Sequence, residues 1–170
     1  PDNFIAGADV DMLKNTKNKK EMKEMLMNGN LFFEEIRKKY KLPLVSAING
    51  ACFGGGLEWA LFCDYRIASN NKITKLGLPE VTLGLMPGMG GTYHLPKLIG
   101  LPNSLDMILT GKRVDANKAK KLGFVDEVVE EYELEGTAIN IARQLSVGKK
   151  FKKRNLTVFD HLEKIGLFRN

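Results

Sequence analysis

Apolar residues fall along the chain in two patterns: short continuous runs bounded by glycine, and longer stretches repeating near the helical period. The run Leu42–Ile48 reads as a buried strand, its core Leu44–Ile48 delivering a glycine turn, and Gly56–Cys63 reads as a buried helix. From Glu21 to Tyr40 the apolar positions Met22, Met25, Leu26, Phe32, Phe33, Ile36 and Tyr40 predict an amphipathic helix whose stripe packs on the core, closed by Pro43. Phe4-Ile5-Ala6 reads as a strand end, with Asp9 capping a short helix through Met12-Leu13 and Lys14–Lys20 as a loop. Tyr65–Ala68 and Phe124–Val129 read as strands. Tyr93–Ile99, Pro102–Leu109, Asp115–Leu122 and Leu134–Leu145 read as helices. Leu76–Val81 reads as a strand end followed by a helical turn that Pro79 starts.

Past Gly148 the composition shifts. Lys149–Arg154 is a basic linker, and Leu156, Phe159, Leu162 and Ile165 form a helical stripe with no evident partner earlier in the chain. The expected organisation is one domain over 1–148, then a linker and amphipathic helix over 149–170 leading toward a following domain. A length of 170 residues with 44% hydrophobic content suffices for that single core.

No apolar run reaches the roughly 18 residues of a membrane span. Cys52 and Cys63 are too few for a disulfide framework and suggest buried thiols in a reducing compartment. With no visible signal peptide, cytoplasm is the expected location and the mitochondrial matrix the alternative. A net charge of +6 favours an anionic partner. The lysines are dispersed and not interleaved with aromatic residues, so solvated helix faces account for them better than a nucleic-acid platform.

Several familiar sites are absent. Gly88-Met89-Gly90-Gly91-Thr92-Tyr93 has tyrosine where a dinucleotide fingerprint needs glycine, and Gly111-Lys112-Arg113 lacks the rest of a P-loop. His94 and His161 have no second histidine at ligand spacing, which argues against a metal. What remains is Gly54-Gly55-Gly56 at a strand-to-helix junction, where uncovered amides and the helix dipole welcome an anion or a developing oxyanion. Two carboxylates accompany it: Glu58 one turn into the helix, and Glu80 after Leu78-Pro79. A carboxylate pair with separated pKa values beside an oxyanion hole suits proton transfer or water addition next to a thioester-like carbonyl. The spacing alone leaves open two solvated glutamates at helix starts, where the dipole also favours them.

The ordered motifs Phe4-Ile5-Ala6-Gly7-Ala8-Asp9, Asn49-Gly50-x-x-x-Gly54-Gly55-Gly56-Leu57-Glu58, Leu76-Gly77-Leu78-Pro79-Glu80 and Gly84-Leu85-x-Pro87-Gly88-x-Gly90-Gly91-Thr92 continue into Leu109-Thr110-Gly111-Lys112 and Ala119-x-x-Leu122-Gly123-Phe124-Val125-Asp126. Together they resemble the enoyl-CoA hydratase (crotonase) family from about Phe4 to Val129. The loop around Asn71–Lys75 is most similar to the hydratase part of multifunctional fatty-acid β-oxidation α subunits. In those, an NAD-dependent 3-hydroxyacyl-CoA dehydrogenase domain follows.

The resemblance implies an α/β crotonase-like (ClpP/crotonase) spiral of ββα units, here expected to be N-terminally incomplete. It implies that the Ala8 and Gly55 amides form the oxyanion hole, that Glu58 holds the attacking water, and that Glu80 delivers a proton to the α carbon. Ala6, Gly7, Asp9, Gly54, Pro79 and Gly88 would contact the enoyl-CoA. No cofactor is expected unless a dehydrogenase domain, and with it NAD, follows. The partners implied are a homo-oligomer of the trimer type or a thiolase β subunit. Tyr93-His94 stands where most relatives carry Gln-Arg. The rival readings are a Δ3-Δ2 enoyl-CoA isomerase and a basic RNA-binding module.

Overall fold

The computed structural model describes residues 3–7 and 18–151. The short helix expected after Asp9 and the stripe Leu156–Ile165 lie outside the described residues. In chain order the elements are β1 (Asn3–Ile5), α1 (Lys19–Tyr40), β2 (Val45–Ile48), β3 (Ala51–Phe53), α2 (Gly55–Phe62), β4 (Tyr65–Ser69) and β5 (Lys75–Gly77). A 3-10 turn (Pro79–Leu83) leads to α3 (Gly91–Ile99), α4 (Leu101–Thr110), β6 (Arg113–Asp115), α5 (Ala116–Leu122), β7 (Glu127–Val129) and α6 (Leu134–Ser146).

Two small sheets share the chain alternately. One has the order β1-β3-β5-β6 and the other β2-β4-β7; every pairing is parallel except β5 with β6. The path β2, β3, α2 contributes one strand to each sheet and then a helix. The next strands, β4 and β5, land beside β2 and β3 respectively. That progression is a spiral of ββα units, as the motifs imply.

The glycine turn is delivered differently from the sequence expectation. The strand ending at Ile48 does not run into it. The chain turns a corner at Asn49-Gly50, with Gly50 at φ 70°, and β3 in the other sheet carries it to Gly54. The Gly50 amide donates to Thr74 Oγ1 at 3.0 Å, and Ser69 Oγ lies 2.7 Å from the same hydroxyl, so buried side chains secure the corner. β3 and β6, three residues each, are too short to show a period and went unrecognised. The strand expected over Phe124–Val129 shrinks to Glu127–Val129, because Phe124 and Val125 are core-filling side chains on the loop after α5.

Burial follows the pleat. On β4, Ala68 joins the main core with Ile48, Leu57, Leu61 and Leu95, whereas Ile67 faces the other way into a cluster with Leu134 and Ile141 of α6. β2 and β4 are therefore covered on both faces, and β2 accordingly lies in a continuous apolar run. Helix α2 is buried nearly all round, through Gly56, Leu57, Glu58, Ala60, Leu61 and Phe62. Cys52 and Cys63 are free and buried, as expected, and burial pushes the Cys63 thiol up to about 11.

Helix α1 differs from expectation in its start and in two residues of its stripe. It starts at Lys19, two residues before the expected Glu21 and inside the expected loop, with the Asn18 side chain accepting from the Glu21 amide at 2.8 Å. Phe32 and Tyr40, placed on the core-packing stripe by period, are 57% and 56% exposed. Among the described residues no α1 side chain belongs to either buried cluster. The helix is anchored instead by Arg37, which donates to the Phe62 carbonyl (2.8 Å), pairs with Asp64 (3.1 Å) and stacks 4.5 Å above the Phe62 ring. Among the described residues no helix is long and apolar enough to cross a membrane.

Candidate active site

Helix α2 begins at Gly55, with Gly54 as its cap at φ 55°, ψ −127°, a conformation open to glycine. The Gly54 amide donates to the Gly77 carbonyl at 3.0 Å, tying the turn to the end of β5. Gly55 stands at the first helical position, where no intrahelical carbonyl can reach its amide. A Cβ on Gly56 would lie 2.4 Å from the Ile5 carbonyl oxygen, so glycine is what lets β1 close over the start of α2.

Four residues past Gly54, Glu58 is 2% exposed. Its Oε1 accepts from two main-chain amides, Met89 and Gly91, each at 2.8 Å. Burial raises the Glu58 pKa, and these two amides oppose part of the rise.

Glu80 reaches the same turn from the other side. Leu78 is buried and Pro79 opens the 3-10 turn, fixing the backbone from which the carboxylate projects. A Cβ at Gly54 would meet Glu80 Oε1 at 3.3 Å, and Gly7 Cα approaches the same point at 3.8 Å. Glu80 Oε2 is buried with no hydrogen-bond partner among the described residues. Burial first, and then the charge of Glu58, raise the Glu80 carboxyl to about 7, although its own amide pulls the other way. The two carboxylates are thus held differently. One is held by two main-chain amides; the other has its carboxyl raised to about 7 and a buried oxygen with no hydrogen-bond partner among the described residues.

Of the residues singled out in the sequence, the structure gathers Gly7, Gly54, Gly55, Glu58, Pro79 and Glu80 around this turn, with half-buried Gly88 next to the Met89 amide. Ala6 follows β1 and is exposed. Ala8 and Asp9 lie outside the described residues. Met89 and Gly91, whose amides hold Glu58, were missed. The signal was present in the second glycine-rich turn, but nothing in its spacing says which carboxylate it embraces. An open groove of about 470 Å³ lies elsewhere, between β1, β2 and α6, lined by Asn3, Phe4, Ala47 and Leu134 among others. Its lining includes Glu131 and Glu135 but neither Glu58 nor Glu80.

Comparison with known proteins follows the geometry. Residues 1–161 match the family described as Enoyl-CoA hydratase/isomerase. Over 163 residues the chain is 50% identical to the fatty acid oxidation complex subunit alpha of Vibrio vulnificus (strain CMCP6), covering 95% of this chain and 22% of that protein. Among solved structures, enoyl-CoA hydratase from Bacillus anthracis is similar at 38% identity and TM-score 0.74, over 82% of this chain and 53% of that one. Pseudomonas aeruginosa DspI is similar at 35% identity and TM-score 0.78, over 99% and 61%. The chain therefore spans about a fifth of the length of the curated relatives it matches. With the ββα spiral, the glycine turn and a match over nearly the whole length, the chain belongs to the enoyl-CoA hydratase/isomerase family.

Proposed function

We propose that this chain adds water across the double bond of a 2-trans-enoyl-CoA to give the 3-hydroxyacyl-CoA, a hydro-lyase step of fatty-acid β-oxidation. The thioester oxygen accepts from the Gly55 amide and, by the family resemblance, from that of Ala8, so electron density leaves the β carbon. Ionised Glu58 holds the water and takes a proton as oxygen bonds to the β carbon. The double-bond electrons pass to the thioester oxygen as an enolate. Glu80, protonated at the start, gives its proton to the α carbon as the enolate collapses. The two carboxyls hold one proton between them before and after, so no metal or redox cofactor enters the step. Ala6, Gly7, Asp9, Gly54, Pro79 and Gly88 line the path of the substrate in this reading.

The observation that carries it is the buried Oε2 of Glu80, without a hydrogen-bond partner among the described residues, beside a Glu58 whose Oε1 is already satisfied. A buried acid oxygen with no protein partner costs free energy unless a ligand supplies one. Double-bond migration needs a single base on the same oxyanion hole, so the paired carboxyls favour hydration over the isomerase alternative. The test is to assay hydration of crotonyl-CoA against migration in a 3-enoyl-CoA, with Glu58→Gln and Glu80→Gln as controls. Each substitution is expected to lower hydration kcat by about 10²- to 10⁴-fold without altering the circular dichroism spectrum. Hydration that survives both changes refutes the assignment.

At the level of the whole protein, residues 1–148 form the hydratase unit and 149–170 lead toward a following domain. NAD enters only through such a dehydrogenase domain. Assembly is with a thiolase-type subunit, in line with the complex named for the relatives, or else as a homo-oligomer. The relative named above is bacterial, which favours the cytoplasm over the mitochondrial matrix.

A further inference from the structure

We propose that Met89 and Gly29 together set how long an acyl chain the site accepts; the inference rests on the hydratase reading above. Met89 does two things at once. Its amide holds Glu58 Oε1 at 2.8 Å, while its side chain extends from the glycine turn to α1. At one end, its sulfur lies 3.6 Å from where a Cβ on Gly55 would sit. At the other, its terminal methyl lies 2.7 Å from where a Cβ on Gly29 would sit. The thioether is therefore a wall between the residue offering the oxyanion amide and the helix alongside. It borders the space into which an acyl chain must leave the β carbon.

Gly29 is interior to a 22-residue helix, a position that disfavours glycine on propensity alone. The close approach of Met89 supplies the reason for it: the missing Cβ is the berth in which the methionine methyl lies. Arg37, eight residues on, is fixed to the Phe62 carbonyl at the far end of α2, so α1 cannot retreat along its length to make room. About 12 Å of α1 separates Gly29, beside Met89, from Arg37 at the Phe62 carbonyl. A methyl group added at position 29 must displace the flexible end of Met89, whose sulfur already borders the glycine turn. Methionine, unbranched and soft, suits a wall that adapts to chains of several lengths.

The experiment compares kcat/KM for 2-trans-decenoyl-CoA and crotonyl-CoA in the full chain and in Gly29→Ala, Met89→Ala and the double variant. Added or removed methylenes in an apolar pocket change discrimination by about 10- to 200-fold. In Gly29→Ala the decenoyl value is expected to fall about tenfold more than the crotonyl value. Met89→Ala is expected to move the ratio toward the longer substrate. The double variant, with no methyl left to displace, should recover most of the ratio lost in Gly29→Ala. A purely structural glycine would change melting temperature, or both substrates alike. A decenoyl-to-crotonyl ratio unchanged in Gly29→Ala and in Met89→Ala overturns the inference while leaving the hydratase reading intact. Failure of the unaltered chain to hydrate either ester overturns both.

Discussion

A carboxylate with a buried and unsatisfied oxygen titrates abnormally, and Glu80 illustrates the consequence. Its carboxyl is raised to about 7 from an ordinary 4.5, first by burial and then by Glu58. In the proposed hydration Glu80 must begin protonated, so kcat/KM for hydration is expected to decline as pH rises through about 7. The reverse dehydration needs the ionised form and should decline as pH falls through the same region. Initial rates in both directions across pH 5–9 check this, the apparent pKa belonging to the pair. Stability carries the same sign. A carboxyl whose folded pKa is raised binds more protons folded than unfolded between about 4.5 and 7, so stability is full below that window and is lost as pH rises through it. Glu80→Gln removes the titration, so its melting temperature should exceed that of the parent at pH 8 by more than at pH 4.5. Glu58 and Glu80 could be singled out from motif order. What holds Glu58 could not be, because its Oε1 accepts from the amides of positions 89 and 91, some thirty residues away in the chain.

Between elements, two contacts stand out as supports of the site. Arg66 on β4 is 3% exposed, pairs with Asp126 at 2.6 Å and donates to the Cys63 carbonyl at 2.6 Å, joining the end of α2 to the approach to β7. The backbone reinforces the join: the Arg66 amide donates to Asp126 Oδ2, and the Asp126 amide to the Arg66 carbonyl, both at 2.9 Å. Removing one member of such a pair leaves a buried charge, so Asp126→Ala is expected to lower unfolding free energy by about 3 kcal/mol in urea titration. The second support is Gly56 against β1. An alanine there places a methyl 2.4 Å from the Ile5 carbonyl, a backbone atom that cannot swing aside. Gly56→Ala should cost about 1–3 kcal/mol and reduce hydration by displacing β1 from the glycine turn. Sequence period found α2, α3, α4, α5 and α6 because each buries one face or its whole circumference. On α1 it placed Phe32 and Tyr40 on the packed stripe, whereas both are more than half exposed, and Arg37 ties the end of the helix to α2.

For the whole molecule, charge and chain path act together. The net charge of +6 is spread over the chain, and a CoA ester carries several phosphate charges, so long-range attraction assists encounter. Raising ionic strength from about 50 to 500 mM shortens the screening length severalfold, which should raise KM for crotonyl-CoA and leave kcat nearly constant. An RNA-binding role would instead show salt-dependent RNA affinity that CoA esters do not displace; a filter-binding competition separates the two. The sequence by itself determined the local pieces: glycines where backbone must pass close or turn sharply, strands buried on both faces, and glutamates immediately after those turns. These depend on a few neighbouring residues, so a linear reading reaches them. Only the tertiary structure decided that one strand run ends at a corner and a second sheet delivers the turn, that Glu58 is bound by a distant loop, and that Gly29 of an outlying helix receives Met89. Each of those is a contact between segments far apart in the chain, set by how the spiral closes, and no local pattern encodes its distance.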